Sequence, residues 1–200
     1  MDPIKHLISV DPVLARVIKK VAPLTWHHEK NYFKSLVEAI INQQLSDKAA
    51  ATITKRFVAL FPKVIFPTPQ QILNMPDEKV RTAGISFQKI SYIKDLARRV
   101  HNDEIDFDSF ATKSDEEVII ELIKVKGIGR WTAEMFLMFS LGRQDVFSFG
   151  DLGLRKGLQK VYKMKKPPTV KQAATITNKW KPFRTWGSRY LWKSLEIDEP

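Results

Sequence analysis

The chain has 200 residues, 44% of them apolar, enough to bury a substantial core, and it has no cysteine, which excludes disulfides, zinc–thiolate sites and cysteine-ligated iron–sulfur clusters. Its 33 Lys+Arg against 22 Asp+Glu give a net charge of +11 and a pI near 9.8, a field that concentrates polyanions at the surface. Nothing reads as a phosphate-loop lysine motif, a signal peptide or an apolar run of transmembrane length, so ATP chemistry and a membrane role are not expected, and the lack of cysteine is compatible with an intracellular protein.

Helical periodicity predicts segments at 11–22, 29–42, 46–61, 68–75, 77–83, 86–101, 115–124, 130–141, 151–162, 169–180 and 183–195. No stretch alternates as a strand does, so the expected fold class is all-α. Pro62, Pro67, Pro69 and Pro76 break up the region after Phe61, Gly84 suits a helix C-terminus, and Pro167-Pro168 separates two late helices. With no repeat and no low-complexity linker, residues 1–200 are expected to form one domain. His6, His27, His28 and His101 show no metal-ligand spacing, and the adjacent His27-His28 pair reads as a surface feature at a helix entry.

The stretch from Ser114 to Leu141 reads as a helical hairpin. Ser114-Asp115-Glu116-Glu117 has the pattern of a capping box, which predicts a helix from Asp115 to Lys124 with Val118, Ile119, Leu122 and Ile123 on its buried face. Gly127 is expected to stop that helix, and Gly129 to allow a positive φ or a close backbone approach. A second helix follows, with Ala133, Phe136, Leu137 and Ser140 inward. The turn is too short for side chains to do the binding, so main-chain amides at the second helix's N-terminus are the expected ligands for one phosphate. An ordinary αα-hairpin closed by glycines fits the same residues.

The positive charge is uneven. Residues 151–200 hold 12 Lys+Arg against 4 Asp+Glu, leaving only +3 for residues 1–150, so the excess follows the hairpin; a solvated basic surface would look the same. Asp151 stands before an apolar segment, which suits either an N-cap for a helix starting near Leu152 or a carboxylate with a chemical task.

Three segments together resemble a known family. Ile40-Ile41-Asn42-Gln43-Gln44-Leu45-Ser46, Lys126-Gly127-Ile128-Gly129-Arg130-Trp131-Thr132-Ala133-Glu134 and Asp145-Val146-Phe147-Ser148-Phe149-Gly150-Asp151-Leu152-Gly153 are similar to the signatures of helix-hairpin-helix DNA-3-methyladenine glycosylases of the alkylation-repair type. The likeness runs from about Trp26 to Trp192, in the compact form without the N-terminal β domain of larger bacterial members.

The resemblance implies a helix-hairpin-helix glycosylase fold with two helical lobes flanking an active-site cleft. It also implies a monomer that binds double-stranded DNA, flips a damaged base and hydrolyses its bond to the sugar. By alignment Asp151 is the catalytic carboxylate, and Trp131 and Trp192 line the base pocket, where an aromatic face attracts an alkylated, cationic base. Gln44 is the expected wedge that fills the hole in the duplex, with Gln43, Leu45 and Ser46 beside it, although the same residues could simply end one helix and cap the next. Lys126, Gly127, Gly129, Arg130 and Thr132 would meet the DNA backbone.

The main-chain carbonyls of Ile123, Val125 and Ile128 would hold Na+ or K+, their side chains being core-forming; no organic cofactor is implied. Relatives that also cut the strand carry a lysine where this chain has Trp131, so a glycosylase without lyase activity is expected. Many relatives have two acids in the catalytic turn, and here the first is Gly150, which puts the rigidity of that turn in question. Asp145 is expected to be structural, pairing with Arg143 or a basic residue of the hairpin helix, and Trp26, Trp180 and Trp186 are expected core anchors. The rival readings are a non-enzymatic DNA-binding module and a glycosylase for oxidised or mismatched bases.

Overall fold

Helix starts in this chain are set by short polar side chains. In the computed structural model, which describes residues 1–25 and 29–197, α1 (Pro3–Val10) and α2 (Pro12–Lys20) each follow an aspartate, Asp2 or Asp11, that accepts two backbone N–H groups, with proline in the first turn. There follow α3 (Tyr32–Asn42), α4 (Asp47–Ala59), α5 (Pro69–Asn74), α6 (Asp77–Arg81), α7 (Phe87–His101), α8 (Asp115–Leu122), α9 (Arg130–Phe139), α10 (Leu152–Val161), α11 (Val170–Thr177) and α12 (Arg184–Ser194). Ser46, Thr68, Ser86, Ser114 and Thr169 cap α4, α5, α7, α8 and α11 through their hydroxyls, and three of these five are full capping boxes.

The described residues contain helices and turns but no strand, as expected. Two differences matter. Helix α1 is absent from the sequence reading, because eight residues give too few turns for periodicity to register, although Asp2-Pro3 is a cap-and-start signal. Helix α8 ends at Leu122, so Gly127 does not terminate it; Ile123 is 45% exposed and belongs neither to the buried face nor to the core. The expected core residue Trp26 and the His27-His28 pair lie outside the described residues.

The chain forms two compact units, Met1–His28 with Leu137–Pro200, and Glu29–Phe136. In the first, α2, α10 and α12 enclose Leu14, Val17, Leu154, Leu158 and Leu191. Gly157 lets α10 and α12 touch: a Cβ there would stand 2.8 Å from the Leu191 carbonyl oxygen. Trp180 is fully buried in this core, as expected, whereas Trp186 packs at its margin with Arg189 over its ring.

The Trp180 indole donates to Asp11 Oδ2 at 2.7 Å, and Asp11 also accepts from Tyr162 and from Lys179 at 3.1 Å. Burial alone would raise the Asp11 carboxyl, but hydrogen bonds from Tyr162, Trp180, the Leu14 N–H and Lys179 outweigh it and hold the group below its usual value.

In the second unit α7 packs against α3, α5 and α6 through Ile90, Ile93 and Leu96. Tyr32, Phe107, Phe110 and Phe136 meet edge to face beneath them, with Phe110 and Phe136 6.1 Å apart. Val118, Ile119 and Leu122 of α8 are buried, as the capping-box reading requires.

Asp11 yields a prediction. Its folded carboxyl titrates below the unfolded one, so its contribution is complete above the unfolded value, near pH 4, and fades as the pH falls through the folded value. Asp11→Ala is expected to cost about 3 kcal/mol at pH 7, and the gap to wild type should shrink below about pH 4 when denaturant unfolding is repeated across pH. A gap independent of pH would show that only packing, not charge, is lost.

Candidate functional site

Asp151 lies in the first unit at the N-terminus of α10, and it is 8% exposed. Its Oδ1 accepts the Leu154 N–H at 2.6 Å, so it is the helix cap that its place in the sequence allowed. The same oxygen accepts the Trp192 indole N–H at 3.0 Å, with the Trp192 ring packed at 5.9 Å against Phe139. Gly153 makes this approach possible, because a Cβ there would stand 3.0 Å from the indole and 3.1 Å from the carboxylate. Trp192 is therefore first of all a holder of Asp151.

The turn before Asp151 is fixed from α12. Asp145 pairs not with Arg143 or a hairpin residue, as expected, but with Arg184, whose Nε and Nη2 donate to its two carboxylate oxygens at 2.7 and 3.0 Å and whose backbone N–H reaches it at 3.2 Å. Thr185 is fully buried; its hydroxyl donates to the Arg143 carbonyl at 2.7 Å and accepts the Val146 N–H at 3.0 Å. These contacts hold the segment without an acid at position 150, where a Cβ would meet no atom within 4 Å. Sequence reasoning missed Arg184 and Thr185, which stand about 40 residues from the turn they brace, beyond any local pattern.

In the second unit, the hairpin turn runs from Ile123 to Gly129. Val125 and Ile128 are buried while Lys126, Gly127, Gly129, Arg130 and Trp131 are exposed and Thr132 is buried. Gly127, not Gly129, has the positive φ, +81°, and a Cβ there would fall 2.1 Å from the Tyr92 ring. A Cβ on Gly129 would meet nothing within 4 Å. Ala133 N–H donates to the Gly129 carbonyl, which makes Gly129 the residue that starts α9, and it brings no side chain to cover the first-turn amides.

The Lys126 N–H donates to Asp95 Oδ2 at 3.0 Å, so that amide is turned into the protein. Burial opposes the charge on Asp95, but the Lys126 N–H, Arg99 and Arg98 together hold its carboxyl below the usual value. The Arg130 guanidinium grips Glu116 at 2.7 and 2.9 Å and Glu134 at 3.2 Å; these bonds raise its pKa, and the Arg130 contact lowers that of Glu116.

The Asn42–Ser46 turn is bound to this hairpin within the same unit. Gln43 Nε2 donates to the Gly127 carbonyl at 2.7 Å, Ser46 caps α4, and Gln44 is exposed with a left-handed φ of 58°. Gln43, Gln44, Leu45 and Trp131 line one cavity of about 520 Å³ together with Lys89 and Tyr92 of α7. The structure thus brings three of the expected wedge residues together with Trp131, which is 52% exposed. The lysine, tyrosine and Asp95 of α7 were not anticipated, since they contact turns more than 30 residues away in sequence.

Known proteins are similar to this chain in sequence and fold. A family model described as HhH-GPD superfamily base excision DNA repair protein matches residues 37–183. DNA-3-methyladenine glycosylase 1 of Schizosaccharomyces pombe is 36% identical over 196 residues, covering 96% of this chain and 86% of that one. A crystal structure of DNA-3-methyladenine glycosidase from Bacillus halodurans superposes with a TM-score of 0.86 at 36% identity, covering 97% of this chain and 89% of that one. A Schizosaccharomyces pombe 3-methyladenine DNA glycosylase in complex with abasic DNA gives a TM-score of 0.86 at 35% identity, covering 99% and 98%.

The Gly127–Tyr92 contact is testable. Gly127→Ala combines a disfavoured φ with a ring that must move, and it is expected to lower stability by about 2 kcal/mol or more in denaturant unfolding. A loss below about 0.5 kcal/mol would show that the Tyr92 ring swings aside and that the hairpin is not held by this contact.

Proposed function

The chain belongs to the HhH-GPD superfamily of base excision DNA repair proteins, and from that membership we propose that it is a monofunctional DNA glycosylase that excises alkylated bases such as 3-methyladenine and 7-methylguanine from double-stranded DNA. The observation that carries the reading is the carboxylate of Asp151, buried, held by the Leu154 N–H and the Trp192 indole and set in the segment that matches the family.

The chemistry follows from charge. Alkylation at a ring nitrogen makes the base cationic, so when the bond from C1′ to the base nitrogen breaks, its electron pair quenches that charge and the base leaves neutral. The positive charge passes to the sugar. A fixed carboxylate stabilises it, and the same group takes the proton of the water that closes on C1′. Asp151 is assigned both roles. Its Oδ1 is positioned by the Leu154 N–H of the helix and by the Trp192 indole N–H.

Trp131 is assigned the face on which the cationic base stacks, an attraction of about 0.5 to 2 kcal/mol beyond ordinary contact. Trp192, whose N–H is on Asp151, is likewise assigned ring surface for the base. Gln44 is assigned the wedge, with Gln43, Leu45 and Ser46 shaping its turn.

The first-turn amides of α9, opened by Gly127 and Gly129, are assigned to one phosphate, with Lys126 beside them and Thr132 supporting the turn from inside. Gly129 suits this because protein packing does not demand a glycine there. Arg130 can join them, because a solvent-exposed ion pair such as that with Glu116 is weak and yields to a phosphate.

The carbonyls of Ile123, Val125 and Ile128 are assigned a monovalent cation. Val125 already accepts the Ile128 N–H, and a carbonyl oxygen retains a second lone pair for an ion. A bound Na+ or K+ would link these carbonyls to the phosphate. No helix among the described residues is long and apolar enough to cross a membrane, and the work of such an enzyme lies where the DNA is, inside the cell. Residues 1–200 act together in this reading as one functional domain and as a monomer.

Free-base release from duplex DNA carrying methylated or oxidised purines tests the assignment. The expected result is release of methylpurines, slower or no release of neutral oxidised bases, and no borohydride-trapped covalent complex, because Trp131 stands where lyases keep their amine. Release of nothing from DNA that is bound would leave only a binding module, and a trapped complex would contradict the monofunctional assignment.

A further inference from the structure

Lys89 lies outside the three segments that carry the family resemblance, on α7, yet its ammonium donates to the Ile41 carbonyl and the Gln43 carbonyl at the C-terminus of α3, both at 2.7 Å and more than 40 residues away in sequence. The last carbonyls of a helix have no partner within it, and a cation there also meets the negative end of the helix dipole. The Asn42 carbonyl between these two is taken by the Leu45 N–H at 3.1 Å. The chain is thereby pinned on both sides of the point where it leaves the helix. Burial pushes the Lys89 ammonium's pKa down, so the charge is kept in a place that does not favour it.

What the pinning holds is the next residue. Gln44 has a φ of 58°, a left-handed conformation that side chains other than glycine reach only at a cost and keep only when their surroundings dictate it. Its predecessor is fixed twice: Lys89 holds the Gln43 main-chain carbonyl, and the Gln43 side-chain amide donates to the Gly127 carbonyl at 2.7 Å. Gln44 itself is exposed and lines the cavity of about 520 Å³ with Trp131 and Lys89.

We propose that Lys89 is a positioning residue for base excision: by clamping the Ile41 and Gln43 carbonyls it holds Gln44 projecting in its strained conformation, ready to fill the gap that a flipped base leaves in the duplex. This rests on the glycosylase and wedge assignments above. Without the clamp the turn relaxes, the gap is filled less often, and the flipped state becomes rarer.

The consequence depends on whether there is a gap to fill. A methylated purine in a one-nucleotide bulge has no partner base, so its extrusion leaves no orphaned base and no gap for the wedge to fill, whereas the same lesion in a base pair leaves both. Single-turnover release is compared on the two duplexes for wild type, Lys89→Met, which keeps the stem without the donors, and Lys89→Arg, which keeps a cation with donors. Lys89→Met is expected to lose about tenfold on the paired lesion and less than about twofold on the bulged one, with Lys89→Arg near wild type on both.

Equal loss on both substrates, or no loss on either, would overturn the positioning role. Should Lys89→Met fail to fold, Lys89→Gln, whose amide is too short to reach both carbonyls, carries the same comparison. Failure of wild type itself to release the base from either duplex would instead sink the glycosylase assignment.

Discussion

A carboxylate is costly to bury, by several kcal/mol once the structure has relaxed around it, and much of the first unit is arranged to make that burial tolerable at residue 151. The helix start of α10 supplies a donor and Trp192 of α12 another, and Gly153 removes the side chain that would keep the two helices' groups apart. The beginning of α12 contributes as well, through Arg184 on Asp145 and Thr185 on the chain between Arg143 and Val146. One helix thus braces the turn with its first residues and orients the acid with a later one. An anion held in this way is rigid before any substrate arrives, which is what electrostatic stabilisation of a developing positive charge requires.

The second unit solves a different problem, that of presenting backbone. On the proposed reading the hairpin offers amides at the start of α9, and amides can be offered only if nothing else covers them and the turn does not collapse. Gly127 settles against the face of Tyr92, Asp95 takes the neighbouring Lys126 N–H, and Gln43 takes the Gly127 carbonyl. Tyr92, Asp95 and Lys89 all come from α7, so one face of that helix supports both the hairpin and the turn that carries Gln44. The exposed Arg130 pair with Glu116 is weak enough to be exchanged.

Much of this was legible in the sequence, for physical reasons that can be named. Capping boxes at Ser114 and Thr169 and apolar periodicity located the long helices, because both signals are local. Asp151 was readable as a cap or as a chemical group, and it is a cap in fact; the two uses place the same carboxylate in the same spot. What the sequence hid is contact at a distance. Arg184 with Asp145, Thr185 with the turn before Asp151, Tyr92 with Gly127 and Lys89 with α3 join residues roughly 35 to 50 apart, and no spacing rule predicts which lysine of a basic chain will turn inward. The glycine that needs its freedom was also misread: Gly127 has the positive φ, while Gly129 is required by nothing in the protein itself.

The central claim is that the Asp151 charge, and not merely its place as a helix cap, performs the chemistry. Asparagine caps a helix as well as aspartate and can still accept from Leu154 and Trp192, so Asp151→Asn separates the two uses. The measurement is single-turnover release of methylpurine from saturating duplex DNA by wild type and Asp151→Asn, with thermal unfolding and DNA affinity recorded for both. The account predicts unchanged unfolding and affinity with release slowed by about a hundredfold or more. Release within a few-fold of wild type would contradict it and leave Asp151 a cap and nothing more.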